Sequence, residues 1–359
     1  MMRIYFVVSE PSERTINHFV SSLGNALQKQ GCEVVYGHDR LWTDDVFDCD
    51  IVHFQWPEYV FGPQKQNFSD NDINRISNRL TQLKEKGSKI FVQVHNLKPH
   101  KKKDKNILRL YELLYQHADV IVHMGNYSRE LLQSQYPNAQ HVVIPHHIYD
   151  DVYSFNIPQE EARRRLRLPI DKKIILSFGK FRNNEERQFI LNLKSRCNYA
   201  PSCGGGAGGE ALFLMPGFYR ETLCTWNPKK LAVRLYNTCK YKMKGIRFSN
   251  EVIPDDLMQC YFSAADVVLI QRLEILNSGN LPMAFHAGKV VVGPDVGNVG
   301  EILRETGNFT FDPQDIGSAV SALQKALADT TKGKENRTYA AEHWSSDLIA
   351  ATLLRYYQQ

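Results

Sequence analysis

Residues 273–303 read LEILNSGNLPMAFHAGKVVVGPDVGNVGEIL. Asn277, Ser278, Gly279 and Asn280 stand just before a short helical pattern with Pro282 in its first turn, and Gly288 leads into the apolar run Val290, Val291, Val292. Small polar residues at such a place leave backbone N–H groups free, and a helix N-terminus attracts anions. The simplest guest is a phosphate. Histidine is the second group that could do chemistry: His53 lies inside DIVHFQW and His95 ends KIFVQVH. An imidazole can exchange a proton near neutral pH, although a histidine in an apolar strand is more often a hydrogen-bonded core residue. Cations are concentrated in LKPHKKKDKN, residues 97–106 with five lysines, and in EARRRLRL, residues 161–168 with four arginines. A solvated face and a binding surface are equally good readings of both runs.

The elements that must position these groups alternate along the chain. RIYFVV, QGCEVVYG, DIVHFQW, KIFVQVHN, DVIVHM and HVVIPHH are strand-like, separated by helical patterns over residues 15–30, 71–86, 106–117 and from Tyr127. After a looser stretch the alternation restarts with IILSFGK, ALFLMPG, GIRFSNE, DVVLIQR and KVVVGP. Helical patterns over residues 185–195 and 228–238, then from Pro254 and from Asn280, separate those strands. Near-continuous apolar strands joined by helices imply parallel sheets covered on both faces. The expected architecture is α/β, with two tandem doubly wound, Rossmann-like domains facing a central cleft. The expected boundaries are 1–150 and 151–335, with a C-terminal helix in 336–359 packing back on the first domain; residues 316–359 read as two helices. In such sheets ligands sit at the carboxyl ends of the strands. The glycine-rich patch CGGGAGGEALF, residues 203–213, precedes a strand and no Lys follows it, so a flexible connection suits it better than a phosphate loop.

Bulk properties narrow the function classes. The chain has 359 residues, with 43% hydrophobic and 23% charged content, as in an ordinary soluble globular protein. No apolar run approaches membrane-spanning length, and MMRIYFVVSE turns polar too soon for a signal peptide, so a cytoplasmic address is expected. Seven scattered cysteines without a Cys-x-x-Cys pair suggest reduced thiols and no metal site. A net charge of +5 is too weak to argue for nucleic acid without a motif. SEPSERTINHF after the first strand lacks a G-x-G-x-x-G, which argues against hydride transfer.

ILSFGKFR, IPDDLMQCYFSAADVVLI, NSGNLPMAFHAGKVVVGP and GNVGEIL resemble the C-terminal half of GT-B glycosyltransferases. The likeness is to retaining, family 4-like enzymes of bacterial polysaccharide synthesis. DIVHFQWP, VHNLKPH, VIVHMGNYSRELL and VIPHHIY are similar to the first half of that group, in the same order. The resemblance implies transfer of a sugar from a nucleotide diphosphate sugar to a glycan or lipid-linked acceptor, with no cofactor beyond the donor and no metal. It places the donor against the second domain: Gly179 and Arg182 of GKFR, the turn Asn277, Ser278, Gly279 and Asn280, the nucleobase loop Asn250, Glu251 and Val252, and Glu274. Glu301, read as opening a helix after Gly297, Asn298, Val299 and Gly300, would either reach the donor or merely complement the helix dipole. It sets His95 towards the donor sugar and His53, Lys101 and Lys102 on the acceptor side. The lysine run would then dock an anionic membrane surface on its inner face or a lipid diphosphate.

Two departures stand out. Many relatives carry a Lys shortly after the Arg, whereas RNNEER offers Glu185 and Glu186, with Arg187 the only nearby cation. Many carry a donor-binding Glu where this chain has Met283, and Glu274 falls one residue off an earlier acidic position. A nucleotide-sugar epimerase of the same architecture and an inactive GT-B binding subunit therefore remain alternative readings.

Overall fold

The computed structural model describes residues 1–11, 18–65, 67–97, 105–197, 211–218, 227–248 and 253–359. The chain divides into two compact units, Met1–Val152 with His343–Gln359 and Tyr153–Glu342. Among the described residues each unit contains one six-stranded sheet in which all paired strands are parallel.

The first unit contributes β1 (Arg3–Val7), β2 (Glu33–Val35), β3 (Ile51–Phe54), β4 (Lys89–Gln93), β5 (Val120–His123) and β6 (Gln140–Val143), in the order β2-β1-β3-β4-β5-β6. The second contributes β7 (Ile174–Leu176), β8 (Leu212–Leu214), β9 (Ile246–Arg247), β10 (Val267–Leu269), β11 (Val290–Pro294) and β12 (Phe309–Phe311), in the order β12-β11-β10-β7-β8-β9. In the second sheet the chain runs outward from β7 and returns to β10 on the other side of β7. The strand order thus reverses between β7 and β10, where an open parallel sheet leaves a crevice at its carboxyl edge. The equivalent point in the first sheet lies between β1 and β3.

Local chemistry explains the boundaries. The helix Asp70–Glu85 starts at a reciprocal cap: the Ser69 side chain accepts from the Asp72 N–H and the Asp72 side chain accepts from the Ser69 N–H. The helix His18–Lys29 is followed by Gly31 at φ +86°, a left-handed conformation suited to glycine after a helix. In the second sheet Ile175, Phe213, Val267, Leu269 and Val292 join the helices Asn184–Cys197 and Ile316–Ala328 in one core. Neighbours one residue along each strand face the other way.

Residues 316–359 hold three helices rather than the expected two: Ile316–Ala328, Lys332–His343 and Ser346–Tyr357. Asp329 accepts from the N–H groups of Thr331 and Lys332, and Ser345 caps Leu348, so each break carries its own side-chain cap. The last helix belongs to the first unit. Ile349, Ala350, Leu353 and Tyr357 pack with Phe19, Val20, Leu23, Ala26 and Leu27. Asp150 accepts both the N–H and the hydroxyl of Ser346, at 3.0 and 2.5 Å.

His53 corrects the acceptor-side expectation. It is fully buried in β3, its Nδ1 lies 2.6 Å from the Tyr357 hydroxyl, and its ring contacts Phe6 and Phe91. β3 is buried along its whole length, so the imidazole points into packed core rather than to the sheet's carboxyl edge. Burial pushes the His53 pKa down to about 3.

His123 and His146 are also pushed down to about 3, chiefly by burial. Unfolded imidazoles protonate below about pH 6.5, so between there and pH 3 the unfolded chain binds more protons. Stability should therefore be complete above pH 6.5 and fall as the pH drops, by roughly 2 kcal/mol per buried histidine between pH 7 and 5. Tyr357→Phe should remove about 1–3 kcal/mol more by leaving the buried His53 nitrogen unpaired. Urea unfolding at the two pH values checks both; equal stability at pH 7 and 5 would contradict the first.

Candidate functional site

The second unit builds its site from the loops that leave β7 and β10. The two loops are joined by side chains: the Ser177 hydroxyl donates to Gln271 Oε1 at 2.5 Å, and Arg272 Nη2 donates to the Lys180 carbonyl at 3.2 Å. Ser177 and Gln271 are buried, so this link sits beneath the edge rather than on it. Gly179 takes φ +97°, and Gly217, in the turn after β8, lies so close that a Cβ there would overlap the Gly179 carbonyl. Phe181 N–H donates to the Gly217 carbonyl at 3.3 Å. Two glycines are thus required for the turn that aims Arg182.

Charge is arranged around Glu186, which is 5% exposed in the first turn of the helix Asn184–Cys197. Its Oε2 accepts the Arg182 backbone N–H at 2.8 Å, its own N–H donates to Asn183 Oδ1 at 2.9 Å, and its Oε1 lies 3.6 Å from Arg272 Nη1. Burial, and then the neighbouring Arg182 cation, lower the Arg272 pKa, against the opposing pull of Glu186. The Arg182 cation is therefore near enough to act on Arg272, and Glu186 offsets part of its effect. Arg182 is exposed and Arg272 half-buried. Two cations against one anion leave an excess of positive charge at the strand-order reversal, which favours an anion.

The opening stretch is tied to the same loops. Asn280 Nδ2 donates to the Phe178 carbonyl at 2.8 Å, so the helix Asn280–His286 starts against the β7 loop. Asn277 Oδ1 accepts from Asn298 at 2.7 Å, and Val299 N–H donates to the Leu276 carbonyl at 3.3 Å. Gly297, at φ +60°, admits this approach; a Cβ there would strike the Ile275 carbonyl. Ser278 and Gly279 are half-buried between these anchors.

Other expected donor residues are placed differently. Glu274 is exposed on the loop and Met283 is buried in the core. Glu301 was expected to open a helix, but the helix Gly297–Glu305 begins four residues earlier and has no acidic residue in its first turn. That is a correction to its role at the dipole, because the effect fades beyond the terminal turn. Asn250, Glu251, Val252, Lys101 and Lys102 lie outside the described residues. Arg187 turns away, donating to the Phe218 and Asn183 carbonyls. Arg272 went unnoticed in the sequence; its signal was a lone cation ending the apolar run DVVLIQR. A cavity of about 570 Å³ in the same unit, lined by Leu212, Leu214, Ile246 and Phe248, does not include the two arginines.

In the first unit the carboxyl ends of β3, β4 and β6 bring together Gln55, Trp56, His95, His146 and His147. His95 Nε2 lies 3.0 Å from Gln55 Oε1, so with the amide oxygen accepting, Nε2 carries the proton. The ring stacks on Trp56 at 4.1 Å and meets the edge of Phe19 at 4.9 Å. Burial first, then His146 and His53, hold the His95 pKa well below its ordinary value, so it is neutral at pH 7. His146 is held by the His147 carbonyl at 2.6 Å and the Tyr149 hydroxyl at 3.1 Å. A neutral, half-buried imidazole on an aromatic platform can hydrogen-bond a polar guest without carrying charge.

No known protein-family profile matches the chain, and no curated protein matches it in sequence. Solved structures do. Sucrose-phosphate synthase from Thermosynechococcus elongatus superposes with a TM-score of 0.70 at 17% identity, covering 100% of this chain and 99% of that one. Anabaena HepE in complex with UDP-glucose gives 0.67 at 11% identity, with 99% of each chain covered. The catalytic domain of starch synthase IV from Arabidopsis thaliana, bound to ADP and acarbose, gives 0.66 at 10% identity, covering 99% of this chain and 98% of that one. The chain has the GT-B fold, with two Rossmann-like units each built on a parallel sheet.

The glycine contact gives a direct test of the turn that aims Arg182. Gly217→Ala should displace the β7 loop and cost about 1–3 kcal/mol of stability, as overpacking does. Gly62→Ala, at an open left-handed position, supplies a control for backbone strain alone. Chemical denaturation checks it: a loss for Gly217→Ala no greater than for the control would refute the close approach.

Proposed function

We propose that the chain is a retaining glycosyltransferase that moves a sugar from a nucleotide diphosphate sugar to a glycan or lipid-linked acceptor. The observation that carries this reading is the Arg182–Glu186–Arg272 group at the strand-order reversal of the second unit, in a chain of GT-B fold. Solved structures of that fold include one with UDP-glucose and one with ADP and acarbose, which supports a nucleotide-sugar substrate and leaves base and sugar open.

The chemistry follows from the charges. When a glycosidic bond to a diphosphate breaks, negative charge grows on the leaving phosphate, and fixed cations and N–H dipoles stabilise it without reorganising. Arg182 and Arg272 supply the cations, and the backbone of residues 277–280 supplies N–H groups at a helix start. That is the work a divalent metal does in other transferases, so the reaction is proposed to be metal-independent and the donor of hexose type. His95, neutral and oriented by Gln55, would hydrogen-bond the sugar as it reacts. Lys101 and Lys102 would meet a phosphate of a lipid-linked acceptor in polysaccharide synthesis on the inner face of the cell membrane. Among the described residues no helix is long and apolar enough to cross a membrane.

Calorimetric titration with a nucleoside diphosphate tests the site. Arg182→Ala and Arg272→Ala should each weaken binding on the order of 10- to 100-fold, as loss of a charge-assisted contact does, while Ser278→Ala should cost only about 0.5–1.5 kcal/mol. Gly279 has φ −63° and ψ −20°, a conformation open to any residue, so Gly279→Val should fold and lose affinity through blocked approach alone. A chelator should change nothing. If the folded Gly279→Val and Arg182→Ala proteins bind as the parent does, the phosphate site is wrong.

Turnover with donor and acceptor glycan should give a glycoside of retained anomeric configuration. A change of sugar configuration without acceptor would instead identify an epimerase.

A further inference from the structure

The helix Pro228–Met243, PKKLAVRLYNTCKYKM, is built inside out. Its buried residue is Arg234, at 1% exposure, and Tyr241 on the same side packs against Phe218 with ring centroids 4.9 Å apart. Asn237 completes that face, since residues three and four apart share one side of a helix. Leu235, Cys239 and Met243 lie at four-residue spacing away from that face, with Tyr236 beside them. Leu235 is 53% exposed, Tyr236 67% and Met243 83%. A helix of a globular protein ordinarily turns its apolar stripe to the core and its charges outward. Here the stripe faces solvent and Lys229, Lys240 and Lys242 border it, with Lys230 and Lys244 elsewhere in the same segment. Residues 228–244 include no Asp or Glu. Lys240 Nζ lies 5.9 Å from the Tyr236 ring, so a cation stands at the edge of the apolar patch.

We propose that this face is a docking surface for an anionic lipid bilayer, with the helix lying in the plane of the interface. Leucine, methionine and tyrosine would enter the headgroup–acyl boundary while the bordering lysines meet lipid phosphates, the division of labour of interfacial helices. Charge selects this occupant. A second copy docking through the same patch would set its bordering lysines against their own copies with no acidic residue in 228–244 to relieve them, because a two-fold contact pairs a surface with itself. The inference deepens the peripheral membrane contact of the proposed function by giving it a surface, and it is independent of nucleotide binding.

Co-sedimentation of the full chain with phosphatidylcholine vesicles, with and without phosphatidylglycerol, tests it. Binding should require phosphatidylglycerol and weaken with salt. The double variant Leu235→Glu, Tyr236→Glu, at two exposed positions, should keep the parent's circular dichroism and its affinity for a nucleoside diphosphate. Its vesicle binding should fall by at least about tenfold. Lys240→Gln with Lys242→Gln should weaken binding and flatten its salt dependence. The proposal is overturned if the folded double variant binds vesicles as the parent does, or if the parent binds neither vesicle or both equally. It is overturned too if neutralising Lys101, Lys102 and Lys103 alone abolishes binding, or if the patch drives a concentration-dependent dimer that the double variant dissolves. Retained nucleotide affinity with lost vesicle binding separates this surface from the donor site.

Discussion

Parallel strands cannot be joined by tight turns; each crossover needs a dozen or more residues, usually a helix. Among the described residues all the pairings in both sheets are parallel, and that constraint organises the rest of the molecule. Helices must pass over both faces, so strand residues are buried on both sides, as the fully buried β3, β7, β10 and β11 are. Charged groups are excluded from the faces. They collect at the strand ends, where every crossover enters or leaves, and in the second unit the reversal between β7 and β10 opens the carboxyl edge. Arg182 and Arg272 leave those two strands within a few residues of their ends, so their proximity follows from strand order.

Glu186 decides whether such a pair of cations is tolerable. Neighbouring cations repel, and the buried Glu186 carboxylate, 3.6 Å from Arg272, offsets part of that repulsion. Its placement in the first turn of a helix, with the Asn183 side chain on its N–H, makes its own burial less costly. Because Glu186 binds the backbone of Arg182 rather than its guanidinium, it fixes where the side chain starts and leaves the cation exposed. An acid that looks hostile to phosphate in a linear sequence is thus compatible with an anion site.

The fold class was legible because apolar runs alternating with 3.6-residue periods leave few alternatives. What stayed hidden was long-range. Nothing local in DVVLIQR says that β10 will lie beside β7, so Arg272 could not be matched with Arg182. The two faces of β3 are equally apolar, so pattern alone could not say whether His53 points into the core or reaches the edge. The helix Gly297–Glu305 begins one turn before Glu301, and the Asn298 side chain in its first turn reaches the distant Asn277. Helix caps are local, but a polar side chain chooses between local and distant partners only once the chain has folded.

The same distinction bears on the histidines of the first unit. His53 and His95 both follow or sit within apolar strands, and both are held neutral by burial, yet their surroundings differ. His53 is enclosed by Phe6, Phe91 and the terminal Tyr357, so its hydrogen bond fastens the last helix to the sheet. His95 is two residues past its strand, half-buried, with one side of the ring on Trp56 and its Nε2 oriented by a fully buried Gln55. A buried amide that fixes the tautomer of a partly accessible imidazole spends its own hydrogen-bonding capacity on orientation, since the Gln55 nitrogen has no hydrogen-bond partner among the described residues. In the neutral ring the two nitrogens have opposite roles, so an amide that fixes the tautomer fixes which nitrogen of His95 donates and which accepts.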